Sequence, residues 1–282
     1  MLQRGAAVTL RVFQAGSRAV SDRTDHELSR LRAQLGPVAP RFDADLLESC
    51  PSTSSLLLER AAAGAPSGSV VWALEQTAGR GRRGRAWVAR SGASLTFSLL
   101  WRFAPGTRLA GLSLAVGLAV AQALERLGAQ GVALKWPNDI WLDGRKLGGV
   151  LIELQQSGAR TASVIGVGLN LLPPADGAVT DQPVAGLSAS GARSTDAVTV
   201  LAALLASLAD VLDHFEAHGF AAMRDAWQAR HALQDQAVRL IDDSGEAEGI
   251  CRGVDEDGAL MLERDGVMVR VLGGDVSLRR QA

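Results

Sequence analysis

Lysine is nearly absent from this chain. Lysine and arginine together number 29, yet only Lys135 and Lys146 are lysines. Arginine is a planar fork that grips two oxygens, whereas lysine is a compact point charge on a flexible stem. An ammonium kept at two nearby positions, in a chain that otherwise uses arginine, points to phosphate or carboxylate oxygens that a single tip must reach. Cysteine is also scarce. Cys50 and Cys251 lie far apart without metal-ligand spacing, which excludes a disulfide framework and fits a reducing cytosol. The four histidines, His26, His214, His218 and His231, lie outside every motif, and the 214/218 pair has no third ligand nearby. The apolar run Leu109–Leu124 is punctuated by glycine. It falls short of the ~20 residues a bilayer requires, so it reads as a buried helix. Met1–Arg23 is broken by Arg4, Arg11 and Arg18 and does not read as a signal peptide. A net charge of −1 excludes a global pull toward nucleic acid or anionic membrane. At 282 residues the chain can bury a sizeable core and still form a second small domain.

What is present is concentrated in two runs. The first is Gly79-Arg80-Gly81-Arg82-Arg83-Gly84-Arg85, followed by Ala86-Trp87. Glycine lets backbone approach a ligand closely. The arginines can clamp an anion bidentately, and the indole offers a flat face. Four crowded cations repel one another, so the loop is expected to order around an anion. The second run is Lys135-Trp136-Pro137-Asn138-Asp139 … Arg145-Lys146-Leu147-Gly148-Gly149.

Around these runs the pattern alternates strands and helices. Ser52 or Thr53 caps a helix over Ser54–Ala63, stopped by Gly64. Strands are predicted at Ser69–Gln76 and Ser94–Arg102, then a long helix over Gly106–Leu127. Val132–Trp136, Ile140–Leu142, Lys146–Leu154 and Thr161–Leu171 follow as strands, with Asp143-Gly144 as a hairpin turn. Leu172–Arg193 reads as a loop. Leu201, Leu204, Leu205, Leu208, Val211, Leu212 and Phe215 repeat at three and four, the stripe of a core helix, and a second helix covers Phe220–His231. Thr24–Leu35 forms one short helix. From Gln236, short strands cut by acidic-glycine turns read as a small β-barrel.

The two runs, in this order, resemble the signatures of biotin protein ligases. Ser52-Thr53, Gln76, Ile165-Gly166-Val167-Gly168-Leu169-Asn170 and the tail Gly273-Gly274-Asp275-Val276-Ser277-Leu278-Arg279 match in sequence as well. The resemblance spans roughly residues 46–280. It implies an α+β fold of the biotin–lipoate ligase, class II synthetase-like type, with a central mixed β-sheet, packed helices and a C-terminal SH3-like barrel. The implied division is an N-terminal extension (1–45), a catalytic domain (46–234) and the SH3-like domain (235–282). The N-terminal segment resembles no winged-helix module, so a monofunctional ligase without specific DNA binding is expected, cytoplasmic, and a monomer or weak homodimer.

The implied chemistry is activation of biotin by ATP to biotinyl-5′-AMP, then transfer to a lysine of a biotin carboxyl carrier protein. Ser52, Thr53, Gln76, Gly79, Arg80 and Gly149 would hold biotin. Arg82 and Arg85 would clamp phosphate, and Trp87 would flank adenine. Lys146 would sit on the carboxylate and α-phosphate oxygens. Lys135 would either hold ATP phosphates or assist amine attack. Asn138, Asp139 and Asn170 are candidates for nucleotide or Mg²⁺ contacts, with Asp139 the metal candidate. Trp136 and Pro137 read as structural, and Glu153 as a partner for an arginine. Ser54 stands where the family commonly has asparagine, and Gly148 stands where alanine is common and reads as neutral. The rivals are a lipoate or octanoate ligase of the same fold and a biotin-responsive repressor.

Overall fold

A computed structural model describes residues 18–157, 160–173, 182–242, 245–272 and 277–280. Gly158, residues 174–181 of the expected 172–193 loop, and Gly273–Val276 of the tail motif lie outside those residues. The elements run α1 (Arg18–Leu35), β1 (Asp43–Cys50), α2 (Thr53–Ala62), β2 (Ser69–Gln76), β3 (Ser94–Phe103) and α3 (Leu112–Arg126). They continue with β4 (Val132–Lys135), β5 (Asp139–Leu142), β6 (Arg145–Ser157), β7 (Arg160–Asn170), α4 (Ala197–His218) and α5 (Arg224–Gln228). Strands β8 (Ala237–Asp242), β9 (Gly245–Val254), β10 (Leu260–Arg264), β11 (Val267–Val271) and β12 (Ser277–Arg280) complete the chain.

Strands β1 to β7 form one mixed sheet in the order β1-β2-β3-β7-β6-β5-β4. Only β1 and β2 are parallel; the other neighbours are antiparallel. Period-two alternation assigns the two faces of this sheet. In β3, Leu95, Phe97, Leu99, Trp101 and Phe103 pack into the main core with residues of α1, α3 and α4. Leu100 faces the other way, joining Leu57 and Ala61 of α2, Val71, Ala162 and Val164 in a smaller core. Each such fully buried aliphatic side chain contributes roughly 2 kcal/mol. α4 is long and apolar enough to cross a membrane, but its residues are mostly buried among α1, α3 and the sheet, as in a core helix. The Asp143-Gly144 turn between β5 and β6 has positive φ at both residues (48° and 76°), the primed hairpin that the dipeptide favours.

Several boundaries differ from the sequence reading. β1 was not predicted, and the expected division between residues 45 and 46 falls inside it. Leu31 and Leu35 of α1 belong to the main core, and Arg30 reaches Asp196, the cap of α4, at 2.9 Å. α3 starts six residues after Gly106, at Leu112, because Gly106 and Gly111 both take left-handed φ (86° and 77°) and keep the chain in turns. The predicted helix over Phe220–His231 is a 3₁₀ turn at Phe220–Met223 followed by the short α5.

Strands β8 to β12 form a separate five-stranded antiparallel sheet, the small SH3-like domain. Its turn before β10 reaches the domain built on the large sheet. Trp136, 1% exposed, donates its indole N–H to the Gly258 carbonyl oxygen at 3.1 Å.

Candidate active site

The face of the large sheet that carries α2 also carries the polar residues. Alternation puts Thr96 and Ser98 of β3 there, with Gly166, Gly168 and Asn170 of β7, Asp139 of β5 and Lys146 of β6, while their neighbours Phe97, Ile165, Val167, Leu169, Ile140 and Leu147 enter the main core. A cavity of about 580 Å³ opens on this face. Ser52, Thr53, Gln76, Arg80, Arg82, Arg85, Trp87, Lys135, Asn138, Asp139, Lys146, Gly149 and Asn170 all line it. Gly79 lies just behind, its carbonyl accepting from Trp87 N at 2.9 Å. A Cβ at Gly79 would come within 2.3 Å of the Trp87 carbonyl oxygen, so that close approach requires glycine.

Asp139 stands between the two lysines. Its Oδ1 lies 2.6 Å from Lys146 Nζ and its Oδ2 lies 3.4 Å from Lys135 Nζ. Lys135 is 4% exposed and also lies 5.0 Å from the Trp141 ring centre, a cation–π contact. Burial pushes the Asp139 carboxyl up, but the charges of Lys146 and Lys135 outweigh it and hold the carboxyl below its ordinary range. The side chain expected to contact nucleotide or metal is therefore the counterion that keeps both ammoniums together.

The arginine loop covers the cavity. Gly81 N donates to Arg85 O at 2.8 Å, and the crest turns through left-handed Arg83 (φ 59°) and Gly84 (φ 67°). Arg80 pairs with Glu153 at 2.8 Å, and Arg82 donates to Asn138 Oδ1 at 3.3 Å. Asn138 is itself fixed by donating to Val150 O at 2.7 Å. Trp87 donates to Thr96 Oγ1 at 3.1 Å and lies flat on β7, where a Cβ at Gly168 would sit 2.4 Å from its ring.

Ser52 caps α2, accepting from Ser55 N at 3.4 Å. At the floor, Gln76 Oε1 accepts from Thr53 N at 2.7 Å and from Thr53 Oγ1 at 3.1 Å. Thr53 Oγ1 lies 2.8 Å from Ser98 Oγ, which lies 3.0 Å from Ser54 Oγ. Ser98, Thr96, Gly166 and Gly168 were not singled out as site residues. The signal was available: the hydroxyl residues Ser94, Thr96 and Ser98 alternate with Leu95 and Phe97 in β3. The expectation that Gly148 is neutral needs correction, because a Cβ there would meet the Gly168 carbonyl oxygen at 2.4 Å and one strand must shift. Among the described residues, no group of three His, Cys, Asp or Glu side chains is placed to hold a metal.

The geometry is that of a pocket with a polar floor, two ammoniums on one carboxylate and an arginine-rich cover. The family model for the biotin/lipoate A/B protein ligase family matches residues 46–170, and the model for the biotin protein ligase C terminal domain matches residues 235–279. The chain is 40% identical to the bifunctional ligase/repressor BirA of Escherichia coli over 231 residues, which is 81% of this chain and 71% of that protein. It is 37% identical over 204 residues to the biotin–[acetyl-CoA-carboxylase] ligase of Paracoccus denitrificans, covering 70% of this chain and 85% of that one. Its fold is similar to the biotin protein ligase from Aquifex aeolicus solved in complex with biotin and ATP, with a TM-score of 0.72 at 27% identity, covering 85% of this chain and 99% of that chain.

Proposed function

The chain belongs to the biotin protein ligase family, and on that premise we propose how its residues divide the work. The enzyme activates biotin with ATP to biotinyl-5′-AMP and transfers the biotin to a lysine of a carboxyl carrier protein. Two anions must meet, charge must be stabilised as a carboxylate oxygen attacks the α-phosphate, and the adenylate must be shielded from water. The observation that carries the assignment of roles is the Lys135–Asp139–Lys146 group at the wall of a pocket covered by the arginine loop.

In this reading Lys146, the less buried ammonium, meets the biotin carboxylate and the α-phosphate oxygens. Asp139 holds it in place until the anions arrive. Lys135 stays on Asp139 and supplies positive potential either to the ATP phosphates or to the amine-transfer step. Ser52, Thr53, Gln76, the Gly79–Arg80 backbone and Gly149 bound the biotin subsite. Arg82 and Arg85 clamp phosphate, Trp87 flanks the adenine, and Asn138 and Asn170 edge the nucleotide subsite. Mg²⁺ fits poorly on Asp139, because both carboxylate oxygens already carry an ammonium. It fits the reaction as an ion carried by the ATP phosphates, where it neutralises their charge. The protein works as a monomer or weak dimer in the cytoplasm and recognises no operator.

Pyrophosphate release measured side by side with biotin, lipoate and octanoate tests this reading. Biotin is expected to be preferred, with transfer to a carrier-domain lysine. Equal or faster turnover of lipoate or octanoate overturns the biotin assignment.

A further inference from the structure

Behind the floor of the pocket, three hydroxyls and one amide form a single file: Ser54, Ser98, Thr53, Gln76. Ser98 is 0% exposed, and Ser54 and Thr53 are 5% and 2% exposed. Thr53 and Ser54 line the cavity, with Ser98 behind them on β3. The chain also explains a glycine. Gly166 pairs with Ser98 across β3 and β7. A Cβ at Gly166 would come within 2.7 Å of Ser54 Oγ, so only glycine lets the Ser54 hydroxyl reach down to the sheet.

The direction of the hydrogens follows from one fixed end. Gln76 Oε1 receives the backbone N–H of Thr53 at 2.7 Å, so this atom is the carbonyl oxygen and can only accept. Thr53 Oγ1, 3.1 Å from the same oxygen, must therefore donate to it, since the opposite orientation would set lone pair against lone pair. A hydroxyl has one hydrogen. Thr53, having spent its own, accepts from Ser98 at 2.8 Å. Ser98, having spent its own, accepts from Ser54 at 3.0 Å. Every hydroxyl hydrogen in the file then points inward toward Gln76, and Thr53 and Ser54 face the cavity with lone pairs only.

We propose that Ser98 is a positioning residue that sets this polarity, so that Thr53 and Ser54 present hydrogen-bond acceptors to the pocket and select ligands bearing N–H donors. This rests on the reading of the pocket as the biotin site. The cyclic urea of biotin carries two N–H groups, whereas a dithiolane or an alkyl chain carries none. Without the Ser98 hydroxyl the file is cut. Ser54 loses its buried acceptor and is free to turn its hydrogen into the cavity, where it opposes a ligand N–H. A site built to satisfy polar groups loses affinity when one is left wrongly paired.

The test compares Ser98→Ala, Ser98→Val and Ser98→Thr. Valine and threonine have nearly the same shape, so their difference isolates the hydroxyl. Biotin affinity is measured by calorimetry without ATP, followed by biotin KM and kcat for pyrophosphate release and by the melting temperature. Ser98→Ala and Ser98→Val are expected to raise the biotin Kd and KM about tenfold, on the scale of one buried hydrogen bond. The kcat at saturating biotin should stay within about twofold, and Ser98→Thr should bind biotin near the wild-type level. Biotin binding by the wild-type protein in the same titration tests the site assignment itself. The proposal is overturned if Ala and Val bind biotin as wild type does. It is equally overturned if Thr and Val lose affinity alike in step with melting temperature, since that marks a packing role alone.

Discussion

Lys146 and Asp139 carry the sharpest residue-level tests. A compact ammonium can follow charge as it passes from carboxylate to phosphate, and it sits 2.6 Å from Asp139 Oδ1. Lys146→Arg keeps the charge but replaces the tip with a fork that must reseat on Asp139. Adenylate formation should fall by on the order of 10²-fold, the loss typical of a positioned transition-state donor. Near-normal single-turnover adenylation in that variant would show that the scarcity of lysine carries no message here. Asp139→Asn acts differently, because it removes the carboxylate that both ammoniums contact. Removing one partner of a buried pair costs about 3–5 kcal/mol. The sign with pH follows from the depressed carboxyl. A group with a folded pKa below its unfolded one stabilises the fold above the unfolded value, and that contribution is lost as pH falls through the folded value. The stability gap between wild type and Asp139→Asn, from urea melts, should therefore be constant from pH 8 to 5 and shrink below about 4. A gap that widens on acidification contradicts the assignment.

Elements position those residues, and glycine sets how closely elements approach. Trp87 rests on β7 only because residue 168 has no Cβ; one added there would sit 2.4 Å from the indole. Gly168→Ala should push Trp87 off the sheet and raise the ATP KM about tenfold or more, with biotin affinity less affected; equal shifts in both would argue that the strand itself had moved. This glycine was quoted in the sequence as part of a motif, yet its reason became visible only with the ring above it. Other elements were legible for local reasons. Ser69–Gln76 has the predicted bounds because an apolar run is framed by glycine, and Asp143-Gly144 fixes its hairpin by turn chemistry alone. β1 was not legible. Asp43, Asp45, Glu48 and Ser49 occupy an edge strand in which only Leu46 and Cys50 are buried, so the apolar period is too thin to register. The Ser98 file was illegible for a related reason. Its meaning depends on α2 crossing above β3, a contact between residues 44 and 45 positions apart.

At the scale of the whole molecule, the catalytic domain and the SH3-like domain meet around His231. Its backbone N–H follows α5, and the next residue, Ala232, donates to Leu134 O of β4 at 2.8 Å, beside Lys135. The imidazole stacks on Trp227 at 4.7 Å and lies 3.9 Å from Cys251 Sγ of β9. Burial lowers the His231 pKa to about 4, with Gln234 opposing. Burial likewise pushes the Cys251 thiol up to about 11, so the sulfur stays protonated and cannot stabilise an imidazolium. The sign is opposite to that of a histidine gaining a partner. Below the ordinary histidine value near 6.5 the unfolded chain takes up a proton that the folded chain refuses, so stability is lost as pH falls from 6.5 toward 4. Between pH 7 and 5 this amounts to about 2 kcal/mol, from ~1.4 kcal/mol per pKa unit. Because the imidazole sits at the junction, the loss should appear as weaker docking of the SH3-like domain as well as a lower melting temperature. Hydrogen exchange at pH 7 and pH 5 should show β4 and β9 losing protection together. His231→Phe keeps an aromatic ring against Trp227 and removes the titration, so its melting temperature should fall less than that of wild type over this range. Parallel pH profiles for the two proteins would mean that the acid sensitivity of the junction comes from other groups.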